Sequence, residues 1–274
     1  MRGRSEHFHP SVLRYHHTRM HNIKLTLAYD GTDFHGWQLQ PGQATIQGAL
    51  TDVLGKITRE RIQIHAAGRT DAGVHALGQV AHFKTRSELT AGEFQRAFNA
   101  LLPATIRVMA AEEVGPDFHA RWNAQAKTYQ YRIYRGRVAP PFVWRYVLHY
   151  PFPLDEEAMA RAARLFEGEH DFTSFAASSG SEEEDNERTM VRVMYSAQVR
   201  REGEELIYRV RGKSFLRYMV RKMVGTLMET GKGKLKPEEM AALFEMRDRS
   251  KSGMTVPPQG LCLVAVEYAE PWKG

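Results

Sequence analysis

The chain has 274 residues, which as a soft prior is length for about two domains, and its 42% hydrophobic content supplies a sizeable core. Lysine plus arginine number 38 against 32 acids, a net charge of +6, which suits a polyanionic partner without requiring one. The single cysteine, Cys262, excludes an intrachain disulfide and fits a reducing compartment, and no apolar run reaches membrane-spanning length.

Residues 1–21 have no periodicity. They carry five histidines and four arginines with one acid. Dispersed histidines are a weak metal signal, and an Arg-rich, acid-poor start can mimic a transit peptide; the segment reads as a disordered extension with no secretory signal. Ile23 to Tyr29 then reads as a strand, with Ile23, Leu25 and Leu27 on one face. Asp30-Gly31-Thr32 turns it into Phe34-His35-Gly36-Trp37-Gln38. Ile46, Ala49, Leu50, Val53, Leu54 and Ile57 fall at helical spacing behind a Thr45 cap.

The centre of the chain is His65-Ala66-Ala67-Gly68-Arg69-Thr70-Asp71-Ala72-Gly73-Val74-His75-Ala76. A strand over 61–66 enters it and a strand over 78–85 leaves it. Between them two glycines bracket one carboxylate, with Arg69 two residues before. Asp71 is expected on a tight loop, kept ionised by that neighbouring cation and so available as nucleophile or base. The competing reading is a turn aspartate bonded to its own loop. There is no Gly-Lys-Ser/Thr ending for a phosphate loop, one Asp and one His do not make a metal site, and no Ser or Cys nucleophile lies on the loop.

Thr90 and Glu93 predict a capping box for a helix with Phe94, Ala97, Phe98 and Leu101 inside, ended by Pro103; 106–114 is a further strand. Strand, helix, strand, loop, strand, helix, strand is a ferredoxin-like order. Residues 118–154 hold six Lys or Arg, no acid and ten aromatics, a composition suited to phosphate and to unstacked bases, although a strand with core tyrosines over 127–135 accounts for part of it. Asp155 caps a helix with Met159, Ala162, Ala163 and Phe166. A loop with five acids in 182–187 reads as solvated. Strands over 189–200 and 205–212, helices over 214–230 and 237–246, and a strand over 261–268 complete the order. From 206 to 236 nine basic residues face one acid, Glu229. The two halves share a rhythm but no convincing repeat.

Gly68-Arg69-Thr70-Asp71-Ala72-Gly73-Val74-His75-Ala76 resembles the signature of the tRNA pseudouridine synthase A (TruA) family. Further segments match in order: Tyr29-Asp30-Gly31 with Gly36-Trp37-Gln38, Lys127-Thr128-Tyr129-Gln130-Tyr131, 170–175, and Met219-Val220-Arg221-Lys222-Met223-Val224-Gly225, so that the likeness runs from about residue 22 to 268. The resemblance implies an α+β architecture of two ferredoxin-like domains, 22–118 and 119–274, joined through a continuous antiparallel-rich sheet around a basic cleft. It implies an isomerase that converts uridine to pseudouridine at positions 38, 39 and 40 of tRNA, on the 3′ side of the anticodon stem-loop. It also implies a cytoplasmic homodimer sharing one tRNA, with no cofactor, no metal and no membrane. Under it Asp71 is the nucleophile, Arg69 enters the space left by the flipped base, Tyr129 stacks on the uracil, and Arg221 partners Asp71. Tyr131, on the same face as Tyr129, reads equally as core. For Arg221 the residues alone leave open a phosphate-binding or solvent-facing role. A non-catalytic RNA-binding or RNA-folding protein is the alternative, and a glycosidase, which needs paired acids, fits poorly.

Overall fold

The computed structural model describes residues 19–177 and 189–269. The acidic loop 182–187 and nearly all of the extension 1–21 lie outside the described residues. Among the described residues no helix is long and apolar enough to cross a membrane.

The first half alternates as its hydrophobic pattern dictates. Strand β1 (His21–Tyr29) buries Ile23, Leu25 and Leu27 on one face. Helix α1 (Ile46–Thr58) starts where the Thr45 hydroxyl accepts the Gly48 N–H, and stops at Arg59, which turns left-handed at φ 58°. Strands β2 (His65–Ala66) and β3 (His75–Thr85) flank the Asp71 loop. Helix α2 (Ala91–Leu101) carries the expected capping box between Thr90 and Glu93. Its Phe94 and Phe98 meet Phe83 of β3, and β4 (Ile106–Val114) follows.

The second half comprises β5 (Ala124–Tyr134), β6 (Leu148–His149), α3 (Glu156–Arg164), β7 (Gly168–Asp171), β8 (Val191–Glu202) and β9 (Glu205–Gly212). Helices α4 (Met219–Gly231) and α5 (Met240–Met246) and strand β10 (Leu261–Tyr268) complete it. Asp155 caps α3 by accepting the Ala158 N–H at 2.8 Å.

Among the described residues the ten strands form one sheet in the order β4-β1-β3-β10-β5-β9-β8-β7, with β2 added on β3 and β6 on β5. The first half is therefore a ferredoxin-like unit: β4-β1-β3 with β2 outside β3, and helices after its first and third strands. The second half repeats it as β10-β5-β9-β8, with α3 after β5 and α4 after β9. The two units join where β10 lies parallel to β3, Cys262 opposite His75 and Leu263 opposite Ala76. The larger core runs along the face that carries the helices.

Three elements differ most from expectation, while β3 starts three residues early and β8 is displaced by two. The entry strand shrinks from 61–66 to β2, because the Ile64 carbonyl is taken by the Gln47 side chain at 3.0 Å and not by a strand. The helix expected over 214–230 starts at Met219, because Tyr218 is left-handed at φ 61° and Phe215 turns away to pack edge-on against Tyr129 at 4.9 Å. The helix over 237–246 opens with a 3-10 turn at Pro237–Glu239, and only 240–246 is α-helical.

Candidate active site

The loop between β2 and β3 is held by main-chain contacts that only glycine permits. The Trp37 N–H donates to Thr70 O at 3.0 Å and the Gly73 N–H to Phe34 O at 3.2 Å. Gly36 has φ +86°, and a Cβ on it would stand 2.7 Å from Thr70 O. A Cβ on Gly31 would stand 2.0 Å from Val74 O. The glycines of the 30–37 segment thus let one backbone lie directly on another. Trp37, 1% exposed, anchors that segment in the core.

Side chains from three strands tie down the rest. The Tyr29 hydroxyl and Thr70 Oγ1 are 2.8 Å apart, Gln79 Nε2 donates to Gly68 O at 2.8 Å, and Lys127 Nζ donates to Ala67 O at 2.5 Å. Burial pushes the Lys127 ammonium down to about 8, with the charge of Arg121 adding to the fall. Tyr29, Gln79 and Lys127 were not singled out as site residues from sequence. Gln79 offered the one signal, an amide at a position of its strand where the alternation called for an apolar residue.

Arg221 and Asp71, 150 residues apart, come together: Arg221 Nη1 lies 3.3 Å from Asp71 Oδ2. Arg221 is oriented from two further sides. Its Nε donates to Val256 O at 2.8 Å, and its guanidinium lies 4.9 Å from the centre of the Tyr218 ring. Arg217 occupies that ring as well, at 4.8 Å. Tyr218 is one of three non-glycine residues with positive φ among those described. Such a conformation is held in place by its surroundings, here a ring with two arginines stacked on it.

The charge balance at Asp71 corrects the expectation about Arg69. Burial raises the Asp71 carboxyl above its ordinary value, and Arg221 and then Arg217 pull it back. Arg69 is exposed and is not among the groups that set this balance. The cations facing the carboxylate come from the first turn of α4 and the residues just before it, not from its own loop. The carboxylate keeps 24% of its side-chain surface open, so it remains reachable.

Tyr129 is 7% exposed, its ring against Phe215, and burial first, then the charge of Tyr29 and of Asp71, hold its hydroxyl well above the usual phenol range. Tyr131 is fully buried and donates to Pro257 O at 2.8 Å, which places it in the core. Asp71, Tyr129, Arg217 and Arg221 therefore surround one site, whereas Arg69 is an exposed residue of the same loop. Among the described residues no three His, Cys, Asp or Glu side chains are grouped so as to hold a metal ion. The arrangement is one reachable carboxylate with two cations and a buried ring, suited to covalent or general-base chemistry on a polar, planar substrate.

The family model described as tRNA pseudouridine synthase matches residues 26–123 and 162–269. The chain is 50% identical over 249 residues to the tRNA pseudouridine synthase A of Solibacter usitatus, covering 91% of this chain and 100% of that one. It is 47% identical over 248 residues to the protein of that name from Moorella thermoacetica, covering 90% and 99%. It is 45% identical over 247 residues to the one from a Geobacillus species, covering 90% and 98%.

Proposed function

The chain belongs to the tRNA pseudouridine synthase A family and isomerises uridine to pseudouridine in tRNA, and from that premise we propose that Asp71 is its catalytic carboxylate. The reaction breaks the bond from uracil N1 to ribose C1′ and forms one from C5 to C1′. A proton leaves C5 and one arrives at N1, so nothing is oxidised or reduced. Three routes use a single carboxylate: attack on C1′, attack on C6, or proton abstraction leading to a glycal. Each needs the ionised form of Asp71, and the observation that carries the assignment is the Arg221 guanidinium 3.3 Å from it in a largely buried site.

The remaining roles follow from position. Tyr129 lies against the uracil as a stacking surface, and burial keeps its phenol protonated. A paired uridine must leave its stack, at a cost of a few kcal/mol. Arg69, exposed on the Asp71 loop, takes the place it vacates. The substrate uridines are those at positions 38, 39 and 40 of the anticodon stem-loop, and the enzyme works in the cytoplasm as a homodimer that shares one tRNA.

Incubation with unmodified tRNA, followed by mapping of pseudouridine at nucleotide resolution, tests this reading. Pseudouridine at those positions is the expected result. Pseudouridine elsewhere overturns the substrate assignment, and sedimentation as a monomer with tRNA bound overturns the dimer.

A further inference from the structure

A column of rings stands beside the root of the Asp71 loop, outside the site described above. It is built from β2, β3 and the turn before β5. His65 stacks on His82 with ring centres 5.2 Å apart and planes at 25°. His119 lies against both, at 5.2 Å from His65 and 4.6 Å from His82. Trp122 stacks on His119 at 5.3 Å and 28°, and the Arg121 guanidinium lies over the Trp122 ring at 4.7 Å.

The inner layers are fixed by hydrogen bonds. His82 Nδ1 accepts the Ala120 N–H at 3.2 Å, and His119 Nδ1 accepts the Arg121 N–H at 3.1 Å. Asn123 Oδ1 accepts the His119 N–H at 2.6 Å. Burial pushes the His82 imidazole down to about 4 and that of His119 below its ordinary value, so at neutral pH these two rings carry no charge. Charge enters at the rim, from Arg121 and from Lys84, which acts on both imidazoles. The outer end is open: Trp122 is 69% exposed, against 1% for Trp37 in the core. The column also adjoins the loop, since Arg121 acts on Lys127, whose Nζ holds the Ala67 carbonyl two residues after His65.

A guanidinium for phosphate beside a largely exposed indole, both on a rigid support, is the chemistry that takes an unstacked nucleotide. We propose that Arg121 and Trp122 form a second nucleotide subsite, which holds an unpaired tRNA nucleotide next to the target uridine, with His119, His65 and His82 as its fixed backing. The proposal rests on the tRNA pseudouridine synthase reading. The uncharged His82 and His119 let the base pack without carrying their charge into the stack, and the fixed turn lowers the ordering cost of binding.

The test is tRNA affinity over a salt series, with sedimentation run in parallel. Trp122→Ala is expected to weaken binding about ten-fold and Trp122→Phe to keep most of it, since one base stacked on an aromatic ring carries about that much. Arg121→Gln is expected to lower the slope of log K against log salt by about one, the mark of one lost phosphate contact. Unchanged affinity in Trp122→Ala together with an unchanged slope in Arg121→Gln overturns the subsite. Weakening that appears only together with dissociation of the oligomer also overturns it and assigns the surface to a protein partner. Pseudouridine formation by the unaltered enzyme is scored separately. If tRNA is bound through Trp122 and no pseudouridine forms, the catalytic reading fails and the subsite stands.

Discussion

The two halves of the sheet share one strand order and put it to different uses. In the first half, the connection from the second strand to the third runs over 67–74 and carries Asp71. In the second half, the same connection, β8 to β9, is a two-residue hairpin at 203–204, closed by the pair Glu202–Glu205. The helices after the third strands differ as well. In α2, Gln95 and Asn99 bond the Val108 and Met109 carbonyls of their own half. In α4, Arg221 reaches across to Asp71 of the other half. A duplicated framework thus supplies rigidity twice, while the chemistry needs one enlarged loop and one cation lent across the β3–β10 seam. Sites formed at the junction of two units are common for this reason.

Removing the carboxylate tests this asymmetry most severely. Asp71→Asn keeps the shape of the side chain and removes its charge, so turnover is expected to fall by about 10⁴-fold or more. Affinity for tRNA should change little, because most of it comes from phosphate contacts elsewhere. Multiple turnover by the verified variant would falsify the assignment of chemistry to the enlarged loop.

The cross-half cation comes next. Burial already raises the Asp71 carboxyl, and Arg221 is the larger of the two charges that oppose this rise. Arg221→Met should therefore move the pKa of Asp71 further up. A carboxyl with a raised pKa is less ionised at any given pH. The single-turnover rate at neutral pH should fall about ten- to a hundred-fold and recover as pH rises, with the acid limb of the profile displaced upward. A profile that keeps its position shows that Arg221 serves phosphate and not Asp71.

Much of this frame is legible in the sequence, since caps and periodicity are local. Thr45, Thr90 and Asp155 each start a helix where expected, and β4, β9 and β10 have the predicted ends. What local pattern misses is set by tertiary contacts. The apolar spacing around Phe215 reads as helix, but Phe215 is needed against Tyr129, and Tyr218 takes a left-handed conformation to release it. Arg69 looks like the partner of Asp71 because it is near in the chain, yet it is exposed and absent from the charges that act on the carboxyl, and Arg221 arrives from 150 residues away. Only the family resemblance pointed to that pair. The repeated strand order left a shared strand–helix rhythm but no matching residues, because a fold can be kept by burial pattern alone while identities drift.

A glycine packed against one connection and a glycine within the other sharpen the comparison at smaller scale. Gly36 supports the Asp71 loop with φ +86° and with Thr70 O only 2.7 Å from where a Cβ would stand. Gly36→Ala must both strain the backbone and push the loop away. It should cost about 3 kcal/mol in a urea titration and lower the saturating rate with it. An unchanged rate in the folded variant shows that the loop tolerates displacement.

Gly203 should show the least effect. It also has positive φ, +57°, but a Cβ on it would meet nothing within 4 Å. The only penalty of Gly203→Ala is the left-handed conformation itself, about 1 kcal/mol, partly offset by the smaller conformational freedom that alanine has when unfolded. The hairpin is tied to its own strands and not to the Asp71 loop, so the loss should appear in the urea midpoint while pseudouridine formation under saturating conditions stays as it was. A rate that fell with Gly203→Ala as far as with Gly36→Ala would show the sheet transmitting strain from one connection to the other, and the two halves would then have to be treated as one mechanical unit. Separate behaviour of the two glycines is what a framework repeated for stability, with chemistry in one connection, requires.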